Sequence, residues 1–456
     1  MRVRPPSRKL VFVTAFVLGA ASTAAVSAFA QSTGAVYPPL KIFAKVLAYV
    51  ENDYVEPVDE SKLVYSAIKG MLAPLDPHTV FLPPNEYQAM KDDTSGEFGG
   101  LGLEIAEKAG HIFVLSPVDD TPASRAGIRP GDEIVAVDGK LVQGESAAEV
   151  SARLKGPPGT QVTLTLMRRG FSAPRDFPLV RAQVRLVSVS GRLVGGVAVV
   201  RIKSFQDGTA DDLGHLLEDL HAKRQRFRGL VLDLRNNPGG LLEEGVKVAD
   251  RFLATGVIVT TKGRGGRNPE VEYAHVEGTE PDYPLVVLIN GGTASASEVV
   301  AGALHDHHRA TLFGSTSFGK GSVQLVIDLD DGSGLKLTTA RYYTPSGRSI
   351  QDNGIAPDVR VQGSGSAPVM REKDLTGAMP NDAPGKAARP VALRAVLPRL
   401  ENAKGDRPLL AALAAMREWG RFQAKLARAR ALEADPTGVR RAASAAGASS
   451  GAASVP

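Results

Sequence analysis

The hydrophobic positions fall into three textures along the chain. Residues 39–90 place Ile42, Phe43, Val46, Leu47 and Val50 at three- and four-residue intervals, which predicts helix. Leu75-Asp76-Pro77-His78 and then Pro83-Pro84 interrupt that pattern. From 96 to 169 apolar and polar residues alternate between glycine turns, which predicts short strands and one helix over 147–154. From 194 onward the continuous apolar runs VGGVAVVRI, GLVLDL and YPLVVLI alternate with helical stretches at 210–225 and 241–253. Runs of that kind joined by helices predict a buried sheet of parallel strands with crossovers. VQLVIDL and LKLTTARYY, on either side of Asp330-Asp331-Gly332-Ser333-Gly334, read as a closing hairpin.

After 361 the order signals thin out, and Gly, Ser, Ala and Pro become frequent. One helix is predicted over 408–432, with Leu409, Leu413, Met416 and Trp419 available to a core and Arg417, Arg421 and Lys425 on another face. That basic face is read as solvated, with contact to anionic lipid or a partner helix as the alternative. Residues 442–456 form a low-complexity tail.

Composition narrows the function classes. The first thirty residues combine Arg2, Arg4, Arg8 and Lys9 with an apolar run over 10–21 and the small-x-small sequence Ala28-Phe29-Ala30. This is the pattern of an export signal, cleaved before Gln31 or retained as an anchor, and it places the body outside the cytoplasm, in a periplasm or cell envelope. The formal charge is +5, and setting those four basic residues aside leaves +1, which excludes a broad nucleic-acid footprint. The chain has no cysteine, hence no disulfide, thiol nucleophile or thiolate metal site. No cofactor and no metal are expected.

The candidate chemistry lies in 290–324, NGGTASASEVVAGALHDHHRATLFGSTSFGKGSVQ. A Ser-His-Asp arrangement is disfavoured by spacing. Ser295-Ala296-Ser297-Glu298 has the form of a helix-capping box, which leaves His305 about 15 Å along a helix, beyond the reach of a general base. His305, His307 and His308 fit a helix C-terminus better. Gly314 to Lys320 matches G-x-x-x-x-G-K, but Gly321 stands where a P-loop needs a hydroxyl, and a strand follows instead of a helix. A third reading pairs Ser295 with Lys320. The amide of Ala296, at a helix start, could stabilise an oxyanion, and burial could lower the lysine toward the pKa of a base. From these residues alone, a surface lysine in a glycine loop is equally compatible.

Two resemblances extend this reading. Residues 96–170, with GEFGGLGLEI and AGIRPGDEIVAVDG, resemble a PDZ domain, which implies that Gly100, Leu101, Gly102 and Leu103 receive a peptide C-terminus beside a strand edge. LDPHTVFLPPNEY, LDLRNNPGG, GTASASE, FGKGSVQ, YYTPSGRSIQ and GIAPDV together resemble the carboxy-terminal processing, or tail-specific, serine peptidases. The resemblance implies Ser295 as nucleophile, Lys320 as base, and Gln324 as the residue that holds the lysine. It also implies an oxyanion pocket from Ala296 and either Gly239 or Gly240. Lys155, in the loop at 155–159, is read as a contact to the protease core or a simple turn residue.

The expected architecture is a multidomain α/β and β chain. It comprises a signal or anchor at 1–30, a helical segment at 31–95, the PDZ domain at 96–170 inserted before a mixed α/β, crotonase-like protease core at 185–362, and a linker, helix and tail at 363–456. The expected activity is that of an exported endopeptidase. Its expected partners are protein substrates with flexible C-termini, an adaptor or activator, a membrane surface, and further copies of itself. The alternatives are an inactive PDZ scaffold with a protease-like core, or an acyl-thioester enzyme on a similar sheet.

Overall fold

The computed structural model describes residues 38–222, 227–362, 370–383, 390–401 and 403–434. The signal-type segment at 1–30 and the low-complexity tail lie outside these residues. Two units divide after Met71. The first is helical: Pro38–Asp53 and the start of Glu60–Leu72 form where the spacing predicts, and the apolar stripe of Ile42, Phe43, Val46 and Tyr49 is exposed. No described helix is long and apolar enough to cross a membrane.

Within the second unit, the glycine-punctuated region forms an antiparallel sheet in the order Leu103–Lys108, His111–Pro117, Glu133–Val137, Gln161–Met167, Arg175–Val180. Alternation decides its faces. Val162, Leu164 and Leu166 point inward with Ile112, Val114 and Ile134, and Gln161 stays outside. The helix Ala147–Leu154 begins at a reciprocal Ser146–Glu149 capping box and buries Val150 and Leu154 on this core. Among the described residues the strand Leu103–Lys108 has one strand neighbour and lies at the sheet edge, with that helix packed against it. A separate two-stranded ribbon, Glu97–Gly100 with Ala182–Arg185, brackets this domain in sequence.

The larger sheet runs Val189–Val194, Val197–Ile202, Leu230–Asp233, Leu285–Ile289, Thr311–Gly314, Val359–Arg360, Val391–Ala392. Its first pair is an antiparallel hairpin and every later pairing is parallel. Both faces of the central strands are buried, so their sequences are continuously apolar. Leu285, Val287 and Ile289 face the helices Thr209–Ala222, Leu242–Asp250 and Ala296–Asp306, whereas Val286 and Leu288 face the C-terminal helices. An antiparallel sheet of five strands, including the expected hairpin Ser322–Asp328 with Gly334–Tyr343, stands beside it.

The expected single helix over 408–432 is two helices, Arg407–Arg417 and Trp419–Ala434, broken at Glu418 (φ −130°, ψ 48°). The bend lets both helices lay apolar sides on the same sheet. Ala411, Ala412, Ala415 and Met416 from the first, with Phe422 and Leu426 from the second, cover Val197, Val199, Val231 and Phe313. Arg417 therefore ends one helix while Arg421 and Lys425 ride on the next, and all three are exposed. The layers of the core thus take in residues well beyond 362.

Candidate active site

Three loops converge because three adjacent strands are parallel. Leu230–Asp233, Leu285–Ile289 and Thr311–Gly314 are neighbours in register, and their carboxyl ends release RNNPGG, NGGTASAS and STSFGK on one edge of the sheet. The first two loops are fastened to each other. Thr293 Oγ1 donates to Leu234 O at 2.8 Å, Ala294 N to Asn237 O at 3.0 Å, and Ser297 Oγ to Asn237 O at 3.1 Å. Ser297 is buried and committed to this bond, consistent with a structural role.

Ser295 precedes the helix Ala296–Asp306 with φ 58° and ψ −121°, a region that costs a non-glycine residue on the order of 1–3 kcal/mol. The expected N-cap geometry is replaced by this strained one, and the serine side chain makes no cap hydrogen bond. Ser295 N donates to Glu298 Oε2 at 2.9 Å. Glu298 does more than cap. Wholly buried, it also accepts from Ser317 Oγ at 2.5 Å, Gly319 N at 2.8 Å and Lys320 N at 2.9 Å. Burial pushes its carboxyl up to about 7 against those four donors. Tyr342 adds a second tie: its buried hydroxyl donates to Lys320 O and is hydrogen-bonded to the Ser295 side chain.

Lys320 has the electrostatics of a base. Burial, helped by the charge of Lys336, lowers it to about 8, while Glu372, Glu298 and Asp76 pull the other way. The flanking carboxylates are themselves firmly held. Asp76 accepts from Thr79 Oγ1 at 2.6 Å, from the amides of His78 and Thr79, and from Thr338 Oγ1. Burial raises its pKa, but these bonds outweigh it and the net shift is downward. Glu372 pairs with His78 Nε2 at 2.8 Å and accepts from Gln351 Nε2 at 3.0 Å. Asp76 and Tyr342 fall inside motifs noted in the sequence, whereas Glu372 and Lys336 carried no local signal.

The oxyanion candidates separate by hydrogen bonding. Gly239 N donates to Asn237 Oδ1 at 2.9 Å, while Gly240 N has no partner among the described residues. Gly239 is held against the serine: a Cβ there would lie 2.7 Å from Ser295 Cβ and 3.0 Å from Ala296 N. Ala296 N is the first amide of its helix and belongs to the unpaired donors of a helix start. Gln324 Nε2 donates to Ser322 Oγ at 2.8 Å and Thr338 Oγ1 at 3.3 Å, and no hydrogen bond joins it to Lys320 among the described residues.

The other sequence candidates are placed as follows. His305 lies at the far end of the helix, bonded to Asp306 and Asp358, and His307 Nε2 bonds Val257 O. Two amides of the P-loop lookalike are engaged by Glu298, which leaves the loop facing a carboxylate instead of a phosphate. In the smaller domain, Gly100 pairs with Ala182 in the ribbon, and Leu101 is buried with its carbonyl accepting from Ala123 N. Gly102 turns at φ 74° into the edge strand that Leu103 begins. Lys155 Nζ sits 4.9 Å from the Phe98 ring centroid, on the ribbon. Among the described residues no cluster of His, Cys, Asp or Glu could hold a metal.

The pattern of Peptidase family S41 matches residues 196–361, and that of a PDZ domain matches 113–168. A carboxy-terminal-processing protease of Bartonella bacilliformis is 43% identical over 362 residues, spanning 78% of this chain and 83% of the relative. The chain belongs to the carboxy-terminal-processing peptidases of family S41. A second S41-like relative, the carboxyl-terminal-processing protease of Synechocystis, is 40% identical over 322 residues, covering 69% of this chain and 74% of its own. Among solved structures, the photosystem II D1 C-terminal processing protease is 37% identical, covers 70% of this chain and 86% of its own, and superimposes with a TM-score of 0.43. The S41 match falls on the mixed α/β core and the PDZ match on the smaller domain.

Proposed function

We propose that this S41 peptidase is an exported serine endopeptidase that captures the C-terminal segment of a protein substrate on its PDZ domain and cleaves it with Ser295 and Lys320. One observation carries the reading: the backbones of both residues are fixed on a single buried carboxylate, and the lysine is depressed to about 8. Neutral Lys320 accepts the Ser295 hydroxyl proton as Oγ attacks the scissile carbonyl. The oxyanion is received by the amides of Ala296 and Gly240. Lys320 then returns the proton to the leaving amine as the C–N bond breaks, which leaves an ester on Ser295. Water then gives a proton to the same lysine as it attacks the ester, and the lysine returns that proton to Ser295 Oγ as the acyl–oxygen bond breaks and the acid leaves.

Substrate capture follows from the free edge of Leu103–Lys108 beside the helix Ala147–Leu154. A peptide adding as a further strand there would meet Leu101 and Gly102 with its carboxylate. Gln324 acts at one remove, through Ser322 and Thr338, on the strand that follows Lys320. Export is the reading of the basic and apolar pattern of residues 1–30. The test compares degradation of an unfolded protein by the chain, Ser295→Ala and Lys320→Ala. Loss of turnover in both variants is expected, and equal activity in all three overturns the reading. Amidation of the substrate C-terminus should raise KM more than it lowers kcat.

A further inference from the structure

We propose that Glu298 is a positioning residue that sets Ser295 and Lys320 in register with each other, an inference that rests on the Ser–Lys reading above. A capping carboxylate at this helix position needs one bond, to Ser295 N. Glu298 has three more, all from residues 317–320 of a different loop. Their roles are fixed. Ser317 Oγ accepts from Ile355 N at 2.6 Å, so its own proton goes to Glu298 Oε1. Oε1 thus receives Ser317 and Gly319, Oε2 receives Ser295 and Lys320, and no acceptor remains for a carboxyl proton. The four-donor cradle favours the ionised form and works against the burial that raises this carboxyl.

The same group therefore acts in two separable ways. Its length spans the two loops and holds Ser295 in a conformation the backbone disfavours. Its charge favours the protonated lysine, alongside Glu372 and Asp76 and against Lys336 and burial. Glu298→Asp keeps the charge and shortens the span by one carbon. Glu298→Gln keeps the span and removes the charge. Its oxygen can still receive Ser295 N and Lys320 N, while its amide faces Ser317, whose hydroxyl can turn to accept, and the bond from Gly319 N is lost.

The experiment measures kcat, KM and the pH profile of kcat/KM for both variants, with rates referred to folded enzyme by near-ultraviolet circular dichroism. For Glu298→Asp a loss of about a hundredfold in kcat is expected, with KM and the profile midpoint unchanged. For Glu298→Gln a smaller loss is expected, with the acid limb moved to lower pH, so that the ratio of the rate at pH 6.5 to that at pH 9 rises. Wild-type kcat and an unmoved midpoint in both folded variants overturn the proposal. Should neither variant fold, Ser317→Ala removes one donor and leaves the carboxylate in place. A fall of about tenfold in kcat then supports the proposal, and an unchanged kcat overturns it. Failure of the dyad itself is read elsewhere, as activity surviving in Ser295→Ala and Lys320→Ala.

Discussion

The backbone nitrogens of Ser295 and Lys320 meet the same atom, Glu298 Oε2, each at 2.9 Å. Residues 25 positions apart in sequence are thus held within two hydrogen-bond lengths at their main chains. Neither side chain has to supply that proximity. The lysine side chain is not needed for that tether, and Tyr342 adds a further link between Lys320 O and the Ser295 side chain.

Proton transfer to Lys320 needs the neutral amine. Because burial and Lys336 lower its pKa to about 8, kcat/KM should climb tenfold per pH unit below that value and level off above it. Initial rates on a quenched-fluorescence peptide between pH 6 and 10 check this. A profile flat from pH 6 upward would rule out a lysine base with this pKa.

Gly239 stands at φ 99°, and a side chain there would press on Ser295 and on the Ala296 amide. Gly239→Ala should therefore lower kcat by about a hundredfold while leaving affinity for a C-terminal peptide at the PDZ domain unchanged. Turnover and fluorescence-anisotropy titration with the same variant separate the two. An alanine here with wild-type kcat would mean that the serine tolerates displacement.

His305 should give the fold a pH-dependent increment. Burial opposes its charge, but Asp306 and Asp358 outweigh burial and raise it to about 9. A base whose pKa rises on folding stabilises the native state fully below its unfolded value near 6.5, and that contribution is lost as pH rises through 9. Thermal unfolding between pH 6 and 10 should show Tm falling across this window, and His305→Gln should flatten the fall. An identical slope in both proteins would remove His305 from the account.

Phe422 lies between Phe313 of the sheet and Trp419, with ring centroids at 5.5 and 5.6 Å, and is 2% exposed. Phe422→Ala should cost about 3–5 kcal/mol of unfolding free energy, measured by urea denaturation. A loss below about 1 kcal/mol, the range of surface substitutions, would show that the last helix is not part of the cooperative core.

Legibility in the sequence followed the range of the interaction. The central strands announce themselves because burial on both faces makes LVVLI continuously apolar. The capping box at Ser146 and Glu149 is likewise local. Glu298 reads as a cap because the bond to Ser295 N is three residues away. Its bonds to Ser317, Gly319 and Lys320 depend on two strands lying side by side, which periodicity does not encode. Lys336 and Glu372 reach Lys320 by the same long route. The choice between Gly239 and Gly240 turns on one side-chain bond from Asn237, invisible in the string PGG. The break at Glu418 has no proline to announce it, and Gly420 close by is only a weak helix former.

The two C-terminal helices give the order of synthesis a consequence. By the time Lys320 has emerged from the ribosome every proposed reacting group has been made, yet Val197, Val231, Val286 and Phe313 still present a bare apolar face. Domains close as units, so the sheet that aligns Ser295 stays open until residues 407–426 arrive to cover it. A chain ending before 407 would therefore leave this face of the sheet, on the strands that carry the loops of Ser295 and Lys320, open to water.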